Sequence, residues 1–386
     1  MLKKEDRLVR YCCRLRTDKD SKEKIIRILS PDLNWAYFLE KSNRSGVTSL
    51  IYNVFSENND IRQRVPEAVL GELKTIYHVV LGRNILIYQT LENIANSFSK
   101  EGIPFLVFKG VSLAESVYKN LGLRPMGDVD ILVKIQDVPK ADRILDNLGY
   151  KKPFIFNDFS RLSYSAYRNS FLYHKSDAYP SHVHLFWHIV NLFPYNKDIV
   201  GRIDMDKIWN DSIELAAGDI TVRIFSLYHQ IIYLCMHALT HLYKPFMLLC
   251  DISELVHSEK EKIDWDCLIR ETVNFGLSKY VYYGLYFARE ILGADIPSNA
   301  LSRLKPRRIS VFEQMFIRRV LYDSTMLDER YALFLLYLGM NETASQRFRY
   351  LRNMCFPPKK ELSIIKQKAA LRIPMFDYMK RILFGG

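Results

Sequence analysis

The amino-acid sequence predicts an α+β fold: a small mixed β-sheet core with its own helices, flanked by helical N-terminal and C-terminal parts. Three observations predict it. Apolar residues recur at helical spacing through residues 1–80. After Gly102 and Pro104 the character changes to short apolar runs alternating with helices. Beyond about residue 220 helical spacing returns. The expected units are a helical unit at 1–82, an α/β core at 83–215 and a helical, basic domain at 216–386.

Each element has a local reason. IIRIL (25–29) has helical spacing, and Asp32 and Asn34 supply cap chemistry ahead of WAYFLEK. Residues 84–100 read as an amphipathic helix that Gly102 and Pro104 end. A strand is expected at 103–109, a helix at 111–120, a polar loop LGLRPMG, a strand at 128–134 and a helix at 138–150. Two more strands are expected within 170–176 and 182–190. After about residue 220 the runs FSLYHQIIYLCMHALTHLY, PFMLLCDISELVHSEKEK, WDCLIRETVNFGL and SKYVYYGLYFAREILG are helical, and no strand is needed there. No internal repeat or low-complexity tract interrupts the order.

Composition narrows the function classes. With 48% hydrophobic residues, 25% charged and 50 aromatics, the 386-residue chain can build a large core, which excludes wholesale disorder. The longest apolar run, at 331–340, has ten residues, about half of the ~20 needed to cross a bilayer, so no membrane partner is expected. The start, MLKKEDRLVRYCCRLRTDKD, lacks the ~7–15-residue apolar segment of a secretory signal, and a cytoplasmic location is expected. Cys12, Cys13, Cys235, Cys250, Cys267 and Cys355 show no CxxC spacing, which argues against a zinc ribbon or a disulfide framework. Residues 301–386 hold 17 Lys+Arg and 7 Asp+Glu, so most of the net charge of +12 is C-terminal. RLKPRR (303–308), RFRYLR (347–352) and 356–368 could steer a polyanion, whether nucleic acid, a nucleotide or an anionic membrane surface. With no RNP, KH or zinc-finger pattern, a solvated basic face is the plainer reading.

Chemistry concentrates between Phe105 and Lys134. Lys109-Gly110 falls where a strand ends and a helix begins: Gly lets a phosphate approach the backbone, and Lys109 and Ser112 add a charge and a hydroxyl. Asp128 and Asp130, at i and i+2 of a strand, project from one sheet face, while Val129, Ile131 and Val133 fill the apolar side. Two carboxylates side by side repel unless a cation sits between them, and a divalent metal is the usual answer.

Together with Arg124 in the intervening loop and the amphipathic helix that follows, these residues resemble the polymerase-beta-like nucleotidyltransferase superfamily. The resemblance sharpens to one branch, the bacterial nucleotidyltransferase family often described as uncharacterised. Its pattern of Lys-Gly, a helix with Tyr, then Arg, then Asp-hydrophobic-Asp is matched by Lys109, Gly110, Tyr118, Arg124, Asp128 and Asp130. Residues 33–52 look like its helical entry segment, 236–256 and 263–269 like its helical C-terminal segment, and 349–362 like its closing Arg- and Pro-containing stretch. The resemblance implies a nucleotidyltransferase core that holds Mg²⁺ or Mn²⁺ on Asp128 and Asp130. Lys109, Gly110, Ser112 and Arg124 would hold the phosphates of an NTP. Its acceptor stays open between a sugar phosphate, a small antibiotic-like molecule, a protein side chain and RNA, and the basic surface favours an anionic one.

One position departs from that family. Its third carboxylate lies in a pattern like hydrophobic-Asp/Glu-hydrophobic-His-Trp, and the matching segment here is Val183-His184-Leu185-Phe186-Trp187. His184 therefore joins Asp128 and Asp130 as a candidate catalytic residue. A neutral imidazole suits Mn²⁺ or Zn²⁺ better than Mg²⁺. Two readings follow: a metal-dependent nucleotidyltransferase that releases pyrophosphate, or a degenerate nucleotide- or RNA-binding relative without full catalysis. A carboxylate such as Asp158 or Asp177 reaching the pair would favour the enzyme; His184 alone would favour binding. His182, His184 and His188 alternate along one strand, but without a second ligand group they make a poor zinc site. His237 and His241 lack the Glu of a zinc protease, since Ala238 stands in its place. They could face an inter-domain cleft, oriented by Asp251, although packing is the commoner role. Tyr228, Tyr233 and Tyr243 could stack a base, although tyrosines at helical spacing are more often core.

Overall fold

A computed structural model of the chain describes residues 2–152, 169–176, 179, 182–190, 197–322, 329–341 and 343–355. The architecture is the mixed one expected, helices around a single sheet of six strands. The strands are β1 (Phe105–Val107), β2 (Val129–Val133), β3 (Ser170–His174), β4 (His182–Phe186), β5 (Ile213–Ala217) and β6 (Ile220–Ile224). Their spatial order is β3-β4-β2-β1-β6-β5. β1 runs antiparallel to β2, while β2 and β4 are parallel, as are β1 and β6.

β2 is buried at every residue because its two faces serve different cores. Val129, Ile131 and Val133 join Val183 and Leu185 of β4 against Ile87, Leu91, Ile94 and Phe98 of one long helix. On the other face Leu132 and Phe186 meet Phe108, Phe225 and Tyr233, which belong to the core shared with the helical C-terminal part. Asp130 and His184 lie on this second face, between the sheet and the helix Leu227–Thr240. A sheet covered on both sides at its centre explains why β1 and β2 read as near-continuous apolar runs.

Several elements differ from expectation. The helix expected at 84–100 runs Glu67–Lys100, 34 residues, straight through Gly71 and Gly82 and across the 82/83 line. Its first half buries Val69, Leu70 and Leu73 among the N-terminal helices, and its second half lies under the sheet. Tertiary packing on both halves outweighs the propensity cost of two glycines, about 1 kcal/mol each. The helix expected at 111–120 is a short α-turn, Gly110–Leu113, followed by a π-turn, Ala114–Tyr118. β5 and β6 form a hairpin where helices alone were expected, and β5 crosses the 215/216 line. Gly218 at φ +60 and Asp219 close this hairpin as a two-residue turn, which needs a positive φ at its first position. Asn34 caps the helix Trp35–Arg44 as expected, but Asp32 instead holds Lys4.

The helical C-terminal part packs Leu227–Thr240, Met247–Ser258, Trp265–Asn274 and Ser278–Leu292 into one core. Cys12, Cys13, Cys235 and Cys250 are buried free thiols. No helix among the described residues is long and apolar enough to cross a membrane. Residues 356–368 lie outside the described residues.

His229 joins two of these helices, stacking on Phe275 with its Nε2 3.8 Å from Glu271 Oε2. Burial holds its imidazole down to about 4, against the pull of Asp211. Its folded pKa lies below the unfolded value of 6.5, so its contribution is present above pH 6.5 and lost as pH falls towards 4. The loss amounts to about 3 kcal/mol per such shift. We expect chemical denaturation of His229→Gln to show a shallower fall in stability between pH 6.5 and 4 than the parent; an identical slope would rule out His229 as its source.

Candidate metal centre and cleft

The parallel register of β2 and β4 sets Asp130 directly beside His184. Asp128 precedes Asp130 by two residues and shares its face. One ligand atom from each of Asp128, Asp130 and His184 falls within 4.8 Å of the others. His184 Nδ1 is 3.8 Å from Asp130 Oδ1, and its Nε2 shares a 2.8 Å hydrogen bond with Ser170 Oγ on β3. Ser170 thus turns Nδ1 towards the carboxylates, a role that sequence reasoning missed because the register of β3 against β4 is not written in either strand alone. Two carboxylates and an imidazole form a donor set suited to a divalent cation of the Mn²⁺ or Mg²⁺ type.

The electrostatics agree with that fit. Burial pushes the Asp130 carboxyl up to about 7, neighbouring Asp128 adds to the rise, and Lys109 opposes it. Lys109 Nζ donates to Asp130 Oδ1 at 2.6 Å. Burial, the largest single influence, would lower the Lys109 pKa, but Asp130, Tyr233 and Asp128 together outweigh it and the ammonium is held above the ordinary lysine range. In this structure the ammonium that the sequence directs at phosphate is held by the Asp130 carboxylate. Lys109 itself has φ 57 and ψ −112, a strained conformation for a residue with a Cβ.

The other expected phosphate ligands divide. Gly110 lines the cleft, and a Cβ there would press on Met126 Sδ at 2.7 Å. Ser112 does not line it: the residue is buried and its hydroxyl faces Gln230 Oε1 at 3.4 Å. Arg124 lines the cleft, but its guanidinium is engaged by Asp251, Nε to Oδ1 at 2.9 Å and Nη2 to Oδ2 at 2.8 Å. Tyr118 donates to the same Oδ1 at 2.8 Å. Asp251 thus serves Arg124 and Tyr118, not a histidine. Asn84 secures the loop from below, donating to the carbonyls of Leu121 and Arg124 at 2.5 and 2.8 Å.

The cleft measures about 440 Å³. Its sheet wall carries Lys109, Gly110, Asp128, Asp130 and His184; its helix wall carries Tyr233, His237 and His241. His237 stacks on Tyr233 with centroids 5.8 Å apart, and His241 stands 4.6 Å from His237. Burial, then Lys109, pushes the His237 imidazole well below its usual range. Of the three tyrosines only Tyr233 reaches the cleft: Tyr228 accepts the Asp264 N–H and Tyr243 packs on Phe287. His182 faces His174, and His188 Nδ1 accepts the Val190 N–H, so the three strand histidines do not converge. Asp158 and Asp177 lie outside the described residues.

Comparison with known proteins adds an independent finding. No curated protein matches the chain. A family model described as an uncharacterised nucleotidyltransferase matches residues 31–293. That span takes in the aspartate strand, the Lys-Gly turn, the Arg124–Asp251 pair and the helix wall of the cleft, while the basic stretch at 349–362 lies beyond it. Covering more than half of the chain, the match shows that the protein belongs to the uncharacterised nucleotidyltransferase family.

Proposed function

We propose that the protein is a metal-dependent nucleotidyltransferase that moves a nucleoside monophosphate from an NTP to an acceptor and releases pyrophosphate. The observation that carries this reading is the Asp128, Asp130 and His184 cluster at the floor of the cleft. Asp128 and Asp130 hold the metal, with His184 as third ligand. A bound divalent ion there supplies charge neutralisation for in-line displacement at the α-phosphate. Lys109 and Gly110 take the triphosphate, one as a charge and the other as backbone that a phosphate can approach. Arg124 acts at one remove: paired with Asp251, it fixes the loop that leads into Asp128. Tyr233, His237 and His241 shape the opposite wall, where the base or the acceptor rests.

A second reading has its own support. Among the described residues no third carboxylate joins the aspartate pair, and His184 alone does. A nucleotide-binding relative without full turnover is consistent with that cluster.

Two measurements test the assignment. Replacing Asp128→Asn together with Asp130→Asn removes both carboxylates, and Mn²⁺ affinity by calorimetry should fall at least about tenfold, with metal-dependent NTP binding falling alongside. Identical metal-dependent affinity in the double variant would refute it. Replacing His184→Asp adds a hard oxygen ligand, so Mg²⁺ should gain on Mn²⁺ and any pyrophosphate release should rise. A lower melting temperature with unchanged Mg²⁺ affinity would instead mean that the third ligand lies elsewhere.

A further inference from the structure

Resting on the metal-site reading, we infer that Lys109 is a resident counter-cation that yields Asp130 to an incoming divalent ion and then neutralises the triphosphate. Three observations carry this. The oxygen that accepts Lys109 Nζ at 2.6 Å, Asp130 Oδ1, is also the one 3.8 Å from His184 Nδ1. Lys109 thus holds the carboxylate oxygen that a cation shared by Asp130 and His184 would need. A single positive charge and a divalent ion cannot share one buried carboxylate oxygen without strong repulsion, because the interior screens weakly.

The ammonium also has somewhere to go. Lys109 lines the cleft itself, so a small swing of its four-carbon stem carries Nζ from the floor into the cavity. Its present seat is a cage of rings, Nζ lying 5.1 Å from the Phe186 centroid and 5.4 Å from that of Phe108, and those rings can keep part of their attraction for the charge as it moves. Lys109 is on this account a positioning residue for the metal and a ligand for the nucleotide. The two functions are taken up in turn, so metal binding should prepare triphosphate binding.

The experiment uses Mn²⁺ as probe on the full chain without nucleotide. Lys109→Met removes the competing charge, and calorimetry should show Mn²⁺ bound about tenfold more tightly than by the parent, while a non-hydrolysable triphosphate binds more weakly. Equal or weaker Mn²⁺ affinity in the variant would overturn the inference. A second arm needs no variant: acylation of Lys109 in the unaltered protein, read by mass spectrometry, should become several-fold faster in saturating Mn²⁺. Unchanged labelling with metal bound would overturn it equally. If neither parent nor variant binds Mn²⁺ at all, the metal-site reading falls and takes this inference with it; if both bind equally, only the exchange is lost.

Discussion

The Arg124–Asp251 ion pair is the interaction on which the cleft depends. Arg124 belongs to the loop entering β2, and Asp251 to a helix 127 residues later, on the far side of the cavity. Both side chains are buried, and Tyr118 adds a further hydrogen bond to the carboxylate. Bidentate geometry satisfies the guanidinium fork and compensates two desolvated charges. The pair therefore ties the loop entering β2 to the helix Met247–Ser258, which packs against Leu227–Thr240. Removing one partner from such a pair costs about 3–5 kcal/mol, because the other charge is then stranded in the interior.

With Arg124 committed, the floor of the cleft is left electrostatically incomplete. Asp128 and Asp130 face a single ammonium, and burial keeps the Asp130 carboxyl near neutrality in its proton equilibrium. An arrangement that is merely structural would supply a second cation or accept a neutral residue. Here the uncompensated charge is aimed at an open cavity, which is the usual mark of a site waiting for a ligand.

Much of this was legible in the sequence, for physical reasons that differ by residue. The alternation of Asp128, Val129, Asp130 and Ile131 has the period of a strand, and a strand of period two leaves no choice about which carboxylates share a face. His184 could be placed beside the pair because its segment matches the third-carboxylate pattern of the family that the sequence resembles, and the parallel register sets it next to Asp130. The guanidinium of Arg124 could not be placed, since nothing local shows that its partner lies 127 residues away. The burial of Ser112 is not legible, since nothing local shows that Gln230, 118 residues later, lies beside its hydroxyl. The hairpin of β5 and β6 was hidden by its exposure: Glu214, Thr221 and Arg223 dilute the apolar signal, and only the Gly218-Asp219 turn announces it.

The 34-residue helix Glu67–Lys100 has a consequence for how the molecule comes apart. At 1.5 Å per residue it is a rod about 50 Å long, and it belongs to two cores at once. Neither core can melt while leaving its neighbour whole, because half a rod would then stand in water with Val69 and Leu73, or Leu91 and Phe98, uncovered. The N-terminal helices and the sheet are thereby yoked into a single cooperative unit, and Asn84, near the rod's midpoint, fastens the loop that leads to the aspartates onto it. Damage at the N-terminal end is thus felt at the aspartate strand by loss of its foundation, with no change to any residue in the cleft.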